Sequence, residues 1–351
     1  MFDSKNIYTY LFGAIVIVGV GYFSNKIKNS FVDRDSEYDI IRKYLLNDSP
    51  LYGFDRPKIW IHSKYEINSR KWKDFYSRNT TDLNQPYIHL TIKTIINHCG
   101  DDFNICLIDD ESFSKLIPSW DVDLASVAEP MRSHLREMGM AELLYYYGGL
   151  VLPNSFLCLK NLKDFYLENV SQNRPFVCEA VNHTTNLLKQ KQKLLFVPDL
   201  YIMGATKNDS TILKLIDFLK ARNKSPLFTS ASEFVGDTSQ WCLEAIRDQK
   251  LTLVGGEHVG VKTEDRKTIL LENLMEEAYL NLNKGAVGIY IPGDEILSRN
   301  KYQWFAVLPS EQIISASMII SKYLLASISD STGDYQPQKR ENDQYKSVVA
   351  I

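Results

Sequence analysis

The chain has no charge excess of either sign: 40 lysines and arginines stand against 43 aspartates and glutamates in 351 residues, a formal net charge of −3. It therefore has no electrostatic footprint for a phosphodiester backbone, and nucleic acid is not an expected partner. Cysteine is scarce. Cys99, Cys106, Cys158, Cys178 and Cys242 include no C-x-x-C pair and no Cys/His spacing suited to zinc. Their odd number reads as free thiols, which favours a reducing compartment, because buried free cysteine behaves mostly as a small hydrophobe. No internal repeat is visible. At 44% hydrophobic, the chain can nevertheless bury a substantial core.

One long uncharged run does occur. Ile7 to Phe23, IYTYLFGAIVIVGVGYF, is 17 residues without a charge, and as a helix it would span about 25 Å, enough to cross a bilayer. Tyr8 and Tyr10 at one end and Tyr22 at the other fit interfacial aromatic belts. The run predicts an N-terminal transmembrane helix and a single-pass membrane protein. A cleaved signal peptide is the alternative, since Lys5 precedes the run and Gly19 and Gly21 lie near its end, but no alanine-type cleavage site follows. Lys26 and Lys28 lean by the positive-inside rule toward a cytoplasmic globular domain. Asn79-Thr80-Thr81, Asn182-His183-Thr184 and Asn208-Asp209-Ser210 would be glycosylation acceptors in a lumenal one, so orientation stays open.

The organisation expected is a membrane anchor at 1–31, a charged stalk at 32–55, a folded domain at 56–326 and a disordered tail at 327–351, since aliphatic residues nearly vanish from Ser327 to Lys346. Within the domain, short apolar runs alternate with helix-period segments. Lys58 to His62 is a strand candidate set off by Pro57. Ile88, Ile92, Ile95 and Ile96 mark a helix stopping near Gly100. Asn104 to Ile108 is a buried strand ending in Asp109-Asp110. Pro130 and Ser133 suit the start of a helix that Gly148-Gly149 ends, and the strand Leu150 to Leu152 follows at once. Ile212 to Leu219 and Leu271 to Leu282 read as two further helix stripes, the second closed by Gly285. The last strand is Val287 to Ile291. This alternation implies an α/β fold with a mostly parallel sheet and helices on both faces. In such sheets ligands sit beyond the carboxyl ends of strands, which is where Pro153-Asn154-Ser155 falls.

Leu144-Tyr145-Tyr146-Tyr147-Gly148-Gly149, followed by a strand, resembles the L-Y-x-Y-G-G signature of capsular-polysaccharide-synthesis proteins and related DXD-type sugar transferases. Pro57 to His62 is similar to that family's opening strand, and Asn104 to Asp110 to the strand before the signature helix. The resemblance covers roughly residues 56 to 165. It implies a GT-A fold, a nucleotide-sugar donor, and a divalent metal held on the donor diphosphate by two carboxylates of a D-x-D. Here the chain departs from the family: the aspartate of its S-D-L-L-R falls on Glu137, the arginine on Met140, and the D-x-D carboxylates on Pro153 and Ser155. Proline offers no side-chain oxygen and serine only a neutral one, so no metal is expected there.

The candidate nucleotide-sugar site comprises Trp60 (stacking on a base), His62, Asp109, Asp110, Arg136, Glu137, Asn154 and Ser155, with Arg132 and Cys158 as further candidates. Each has a structural alternative: a core tryptophan and histidine, a helix cap at Asp110-Glu111-Ser112, a solvated helix face for the arginines, a plain turn at Asn154-Ser155. The literal Asp121-Val122-Asp123 reads as a chance triplet in a surface loop. Ile291 to Glu295 with Tyr302 to Phe305 could line an acceptor site or pack on the sheet. Two functions follow from the resemblance. One is a membrane-anchored, metal-independent glycosyltransferase in which arginines and helix N-terminal amides hold the diphosphate, with a glycan acceptor. The other is an inactive glycosyltransferase-like scaffold or binding protein at a membrane, for instance a viral structural component.

Overall fold

The computed structural model describes residues 56–63, 85–118, 120–170, 174–182, 197–224 and 231–329, all within the compact unit Asn47–Ile351. The apolar run 7–23, the stalk and residues 330–351 lie outside the described residues. Among the described residues no helix is long and apolar enough to cross a membrane.

Eight strands are described: β1 (Lys58–His62), β2 (Asn104–Ile108), β3 (Gly149–Pro153), β4 (Phe156–Cys158), β5 (Phe176–Glu179), β6 (Pro198–Ala205), β7 (Thr252–Val254) and β8 (Gly288–Tyr290). Six form one sheet in the order β2-β1-β3-β6-β5-β7, and β4 pairs with β8 in a second. β1 is parallel to β2 and β3, and β5 to β7, while β6 runs antiparallel to both of its neighbours. The expected mostly parallel sheet is present, with one reversed strand.

The helices that position the site are α1 (Tyr87–Cys99), α2 (Ser112–Leu116), α3 (Met131–Tyr147), α4 (Lys163–Val170), α5 (Ser210–Lys224) and α6 (Ala231–Arg247). Strand register explains which face they cover. Cys106, Trp60, Val151, Met203 and Val177 are successive partners across five strands. Side chains alternate along a strand, so this row shares one face. All five belong to a core cluster with Leu143 and Leu144 of α3, Leu215 and Leu219 of α5 and Cys242 of α6. Phe176, next to Val177 and so on the opposite face, meets Phe165 of α4 with ring centroids 5.6 Å apart. Helices thus cover both faces. A second cluster joins Tyr87 and Leu90 of α1 and Leu157 of β4 to Leu271 and Leu274 of α7 (Leu271–Met275) and Tyr323 and Leu324 of α11 (Ile319–Ser329). Between these last two lie α8 (Gly293–Ser298), α9 (Gln303–Ala306) and α10 (Ser310–Ser315).

Several elements differ from expectation. The stripe Leu271 to Leu282 is helical only to Met275; Glu276 is extended, and its carbonyl accepts the Ile319 amide at 2.7 Å while that of Asn281 accepts from Glu264 at 3.0 Å. Those backbone groups are committed to neighbouring segments, so Leu280 and Leu282 reach the core from an extended chain. The last strand is shorter, Gly288–Tyr290. The terminal helix runs past Ala326 to Ser329. Of the three sequons, Asn79 lies outside the described residues, Asn182 is fully buried, and Asn208 is exposed in a turn with φ 59°.

The Tyr147-Gly148-Gly149 junction has a backbone reason. Gly148 closes α3 at φ 70°, its amide donating to Leu144 O at 2.8 Å, and Gly149 enters the interior strand β3 at φ 107°. Both values lie where glycine alone is at ease.

Candidate functional site

Because β1, β2 and β3 are parallel and in register, their carboxyl ends meet: His62 pairs with Ile108 on one side and Pro153 on the other. Asp109-Asp110 and Asn154-Ser155 continue from the two flanking strands. β6 is reversed, so its first residues, Pro198 and Asp199, lie beside Glu179 and Cys178 at the carboxyl end of β5. α3 leads into β3, so its N-terminal half reaches this same edge.

Asp110 is the hub. Its Oδ1 lies 2.9 Å from His62 Nε2 and accepts Arg136 Nε at 2.7 Å, while Oδ2 accepts Arg136 Nη2 at 2.7 Å. The His62 ring stacks on Phe113 of α2, centroids 5.6 Å apart and planes 8° from parallel. Burial alone would raise the Asp110 carboxyl, but the hydrogen bonds from Arg136 and His62 outweigh it and hold it well below the usual carboxylate range. Asp110 is therefore a permanent anion clamped in a bidentate fork. Glu129 extends the cluster: Oε1 accepts Arg136 Nη1 at 3.3 Å, and Oε2 accepts the Ser133 hydroxyl at 2.7 Å and its amide at 3.2 Å. The Glu129 carboxylate, just before the N-cap Pro130, thus accepts from a first-turn amide of α3, at the end where the helix dipole favours negative charge.

The next residue on α3 faces another group. Glu137 keeps part of its surface accessible, but its carboxyl is enclosed, and burial, reinforced by the charge of Asp199, pushes its pKa up to about 8. A raised carboxylate means that the folded state holds a proton that the unfolded state has released. Stability at this position is then full below about pH 4.5 and is lost as pH rises toward 8. Glu137→Gln removes the effect. We expect it to stabilise the protein by about 1 kcal/mol or more at pH 8, with little change at pH 4.5. Urea midpoints at the two pH values check this; equal effects at both would contradict the burial of the carboxyl.

The remaining candidates are held by the scaffold. Trp60 is fully buried, its Nε1 donating to Gly148 O at 3.0 Å. Asp109 Oδ1 accepts the Ser112 amide at 2.9 Å and hydroxyl at 2.7 Å, closing the turn into α2. Arg132 Nε donates to Val127 O at 2.8 Å. The Asn154 carbonyl accepts Thr91 Oγ1 at 2.5 Å. Ser155 is buried, and its hydroxyl donates to Ile291 O at 2.7 Å. Cys158 is buried at the end of β4. Asp123 of the literal triplet caps a short 3-10 turn, Leu124–Ser126, accepting the Ala125 amide at 3.0 Å. Tyr302 and Phe305 join the second core cluster, while Trp304 stays exposed.

The edge thus brings His62, Asp110 and Arg136 into direct contact and sets Asn154 beside them through the β1–β3 register. Glu137 turns instead toward β6. Glu129 and Asp199 were missed. Glu129, directly before the N-cap Pro130, carries the signature of an acid at a helix start; Asp199 has no local signal, because the reversal of β6 alone brings it here. The residues at β3's end do not fit a divalent metal: Pro153 has no donor, and the Ser155 hydroxyl is spent on Ile291. Among the described residues no group of three or more His, Cys, Asp or Glu side chains is arranged to hold a metal ion.

No protein-family model and no curated protein matches the chain. Among solved structures it is similar to the PaToxG glycosyltransferase, with 15% identity and a TM-score of 0.35 over 62% of this chain and 80% of that one. It is also similar to the glycosyltransferase GlyE of Streptococcus pneumoniae TIGR4, with 11% identity and a TM-score of 0.37 over 82% of this chain and 66% of that one.

Proposed function

We propose that this chain is a glycosyltransferase-like protein that binds a nucleotide sugar at the carboxyl edge of its main sheet without a bridging divalent metal. The observation that carries this reading is the meeting of His62, Asp110, Arg136 and Asn154 at the strand ends, next to a turn that has Pro153 and Ser155 where the resemblance implies metal-binding carboxylates. In the transferase form, charge that develops on the leaving diphosphate is met by the Arg136 fork and the amides of the first turn of α3, and the rigid strand ends orient the donor. No step runs through a metal.

A specific observation favours the second reading, a scaffold that does not transfer sugar. The Arg136 fork is filled by Asp110 and Glu129, and Glu129 also takes the Ser133 amide. A diphosphate would have to displace one carboxylate and leave the other facing like charge.

Calorimetric titration with UDP- and GDP-sugars distinguishes the two. Binding is expected to change less than about tenfold between EDTA and millimolar Mn²⁺, a difference of about 1.4 kcal/mol. Arg136→Ala is expected to weaken it by roughly 10- to 100-fold, since a charged hydrogen bond to phosphate contributes about 1.5–3 kcal/mol. Strong Mn²⁺ dependence would overturn the metal-free site, and no binding to any nucleotide sugar would leave the scaffold reading. Membrane tethering through residues 7–23 belongs to the same proposal: the full chain should sediment with membranes until detergent is added, and a chain that stays in the supernatant would refute the anchor.

A further inference from the structure

Cys99, the last residue of α1, and Cys158, the last residue of β4, lie with their Sγ atoms 3.9 Å apart. The approach is fixed from several sides. Thr94 Oγ1 of α1 accepts the Cys158 amide at 2.9 Å, Ser327 Oγ of α11 donates to the Cys158 carbonyl at 2.5 Å, and His98 Nε2 lies 3.0 Å from Ser327 Oγ. Both sulfurs are fully buried, so the two side chains face each other inside a hydrogen-bonded frame. A disulfide has sulfurs about 2.05 Å apart, so closing this gap takes a little under about 2 Å, within the reach of side-chain rotation and a small backbone adjustment.

We propose that Cys99 and Cys158 form a disulfide site, closed when the chain folds in an oxidising compartment and open when it folds in a reducing one. This goes beyond the reading of the carboxyl edge and does not rest on it. Closure breaks two S–H bonds and makes one S–S bond. The two electrons and two protons pass to an oxidant of the disulfide class, such as glutathione disulfide, which leaves as two thiols. Attack requires a thiolate, and burial, with the hydrogen bond to Cys99, keeps the Cys158 thiol protonated in the folded protein. Exchange therefore takes place while the chain is folding. The pair is separated by 59 positions in sequence, so the bond would tie α1 to β4 across a long loop and restrict the unfolded chain accordingly.

The test uses the full chain, refolded from denaturant in a buffer of reduced and oxidised glutathione and compared with the same chain refolded in excess reductant. Free thiols are then counted in denaturant and the linkage is mapped by mass spectrometry. All five cysteines are free and buried in the structure, so the expected result is five titratable thiols after reductive refolding and three after oxidative refolding. The linked peptides should be those carrying Cys99 and Cys158, and the oxidised form should unfold at a higher denaturant midpoint. Cys99→Ser should keep four thiols under both conditions, whereas Cys178→Ser should fall from four to two. Wild-type mapping stands on its own if a variant fails to fold. Five remaining thiols in refolded wild-type protein, or a bond between any other pair, would overturn the assignment.

Discussion

Gly149→Val is expected to leave no stable fold. Gly149 has φ 107°, and a Cβ built on it would lie 2.2 Å from the carbonyl oxygen of Lys58 in the adjoining strand. The obstacle is backbone, and it belongs to the β1–β3 pairing that sets His62 against Pro153. Relief therefore requires separating the two strands that form the candidate site. A positive φ alone disfavours an L-residue by roughly 1–2 kcal/mol, and opening a central ladder adds several more, against a total stability of about 5–15 kcal/mol. Loss of soluble expression, or a fall of more than about 4 kcal/mol in chemical denaturation, is the expected readout. Stability close to that of the natural sequence would show that β3 does not enter the sheet as described.

Trp60→Ala should also act on stability, by about 3–5 kcal/mol. Trp60 is fully buried, its ring lies 5.6 Å from that of Tyr147, and its Nε1 satisfies the carbonyl that ends α3. Truncation leaves a large cavity under α3 and an orphaned carbonyl at the helix–strand junction. The sequence also allowed stacking on a nucleotide base, and the two roles separate cleanly. Trp60→Phe, which keeps most of the apolar volume, should lower the urea midpoint yet change nucleotide-sugar affinity less than about threefold. A large loss of affinity at unchanged stability would return Trp60 to the binding surface.

The elements read from sequence succeeded where the signal was local. Lys58–His62 and Asn104–Ile108 are apolar runs bounded by Pro57 and Asp109, and both strands have those limits. The end of α3 was legible because Gly148-Gly149 marks a backbone conformation. The Leu271 to Leu282 stripe failed because its spacing records only that those leucines are buried, and an extended segment buries them equally well. β6 went unread because strand direction is set by the neighbours it joins. The site divides in the same way. Residues at strand ends were legible from the parallel-sheet rule, which is how His62 and Asp110 became candidates, and the fold places the two side by side. Their partners are another matter: Asp110 and Arg136 are 26 positions apart, and periodicity assigned Arg136 a helix face without saying which carboxylate would meet it. Glu137 was picked out by its alignment with a family aspartate, but its burial against Asp199 followed only from the fold.

Hydrogen exchange in the presence of a saturating UDP- or GDP-sugar, with EDTA throughout, tests the metal-free carboxyl-edge site most directly. The account predicts slowed exchange at the amides of 62–63, 109–112, 131–136 and 154–155, with the opposite edge of the sheet unchanged. Protection of those amides only when Mn²⁺ is restored, or protection elsewhere on the chain with none at the strand ends, would contradict it.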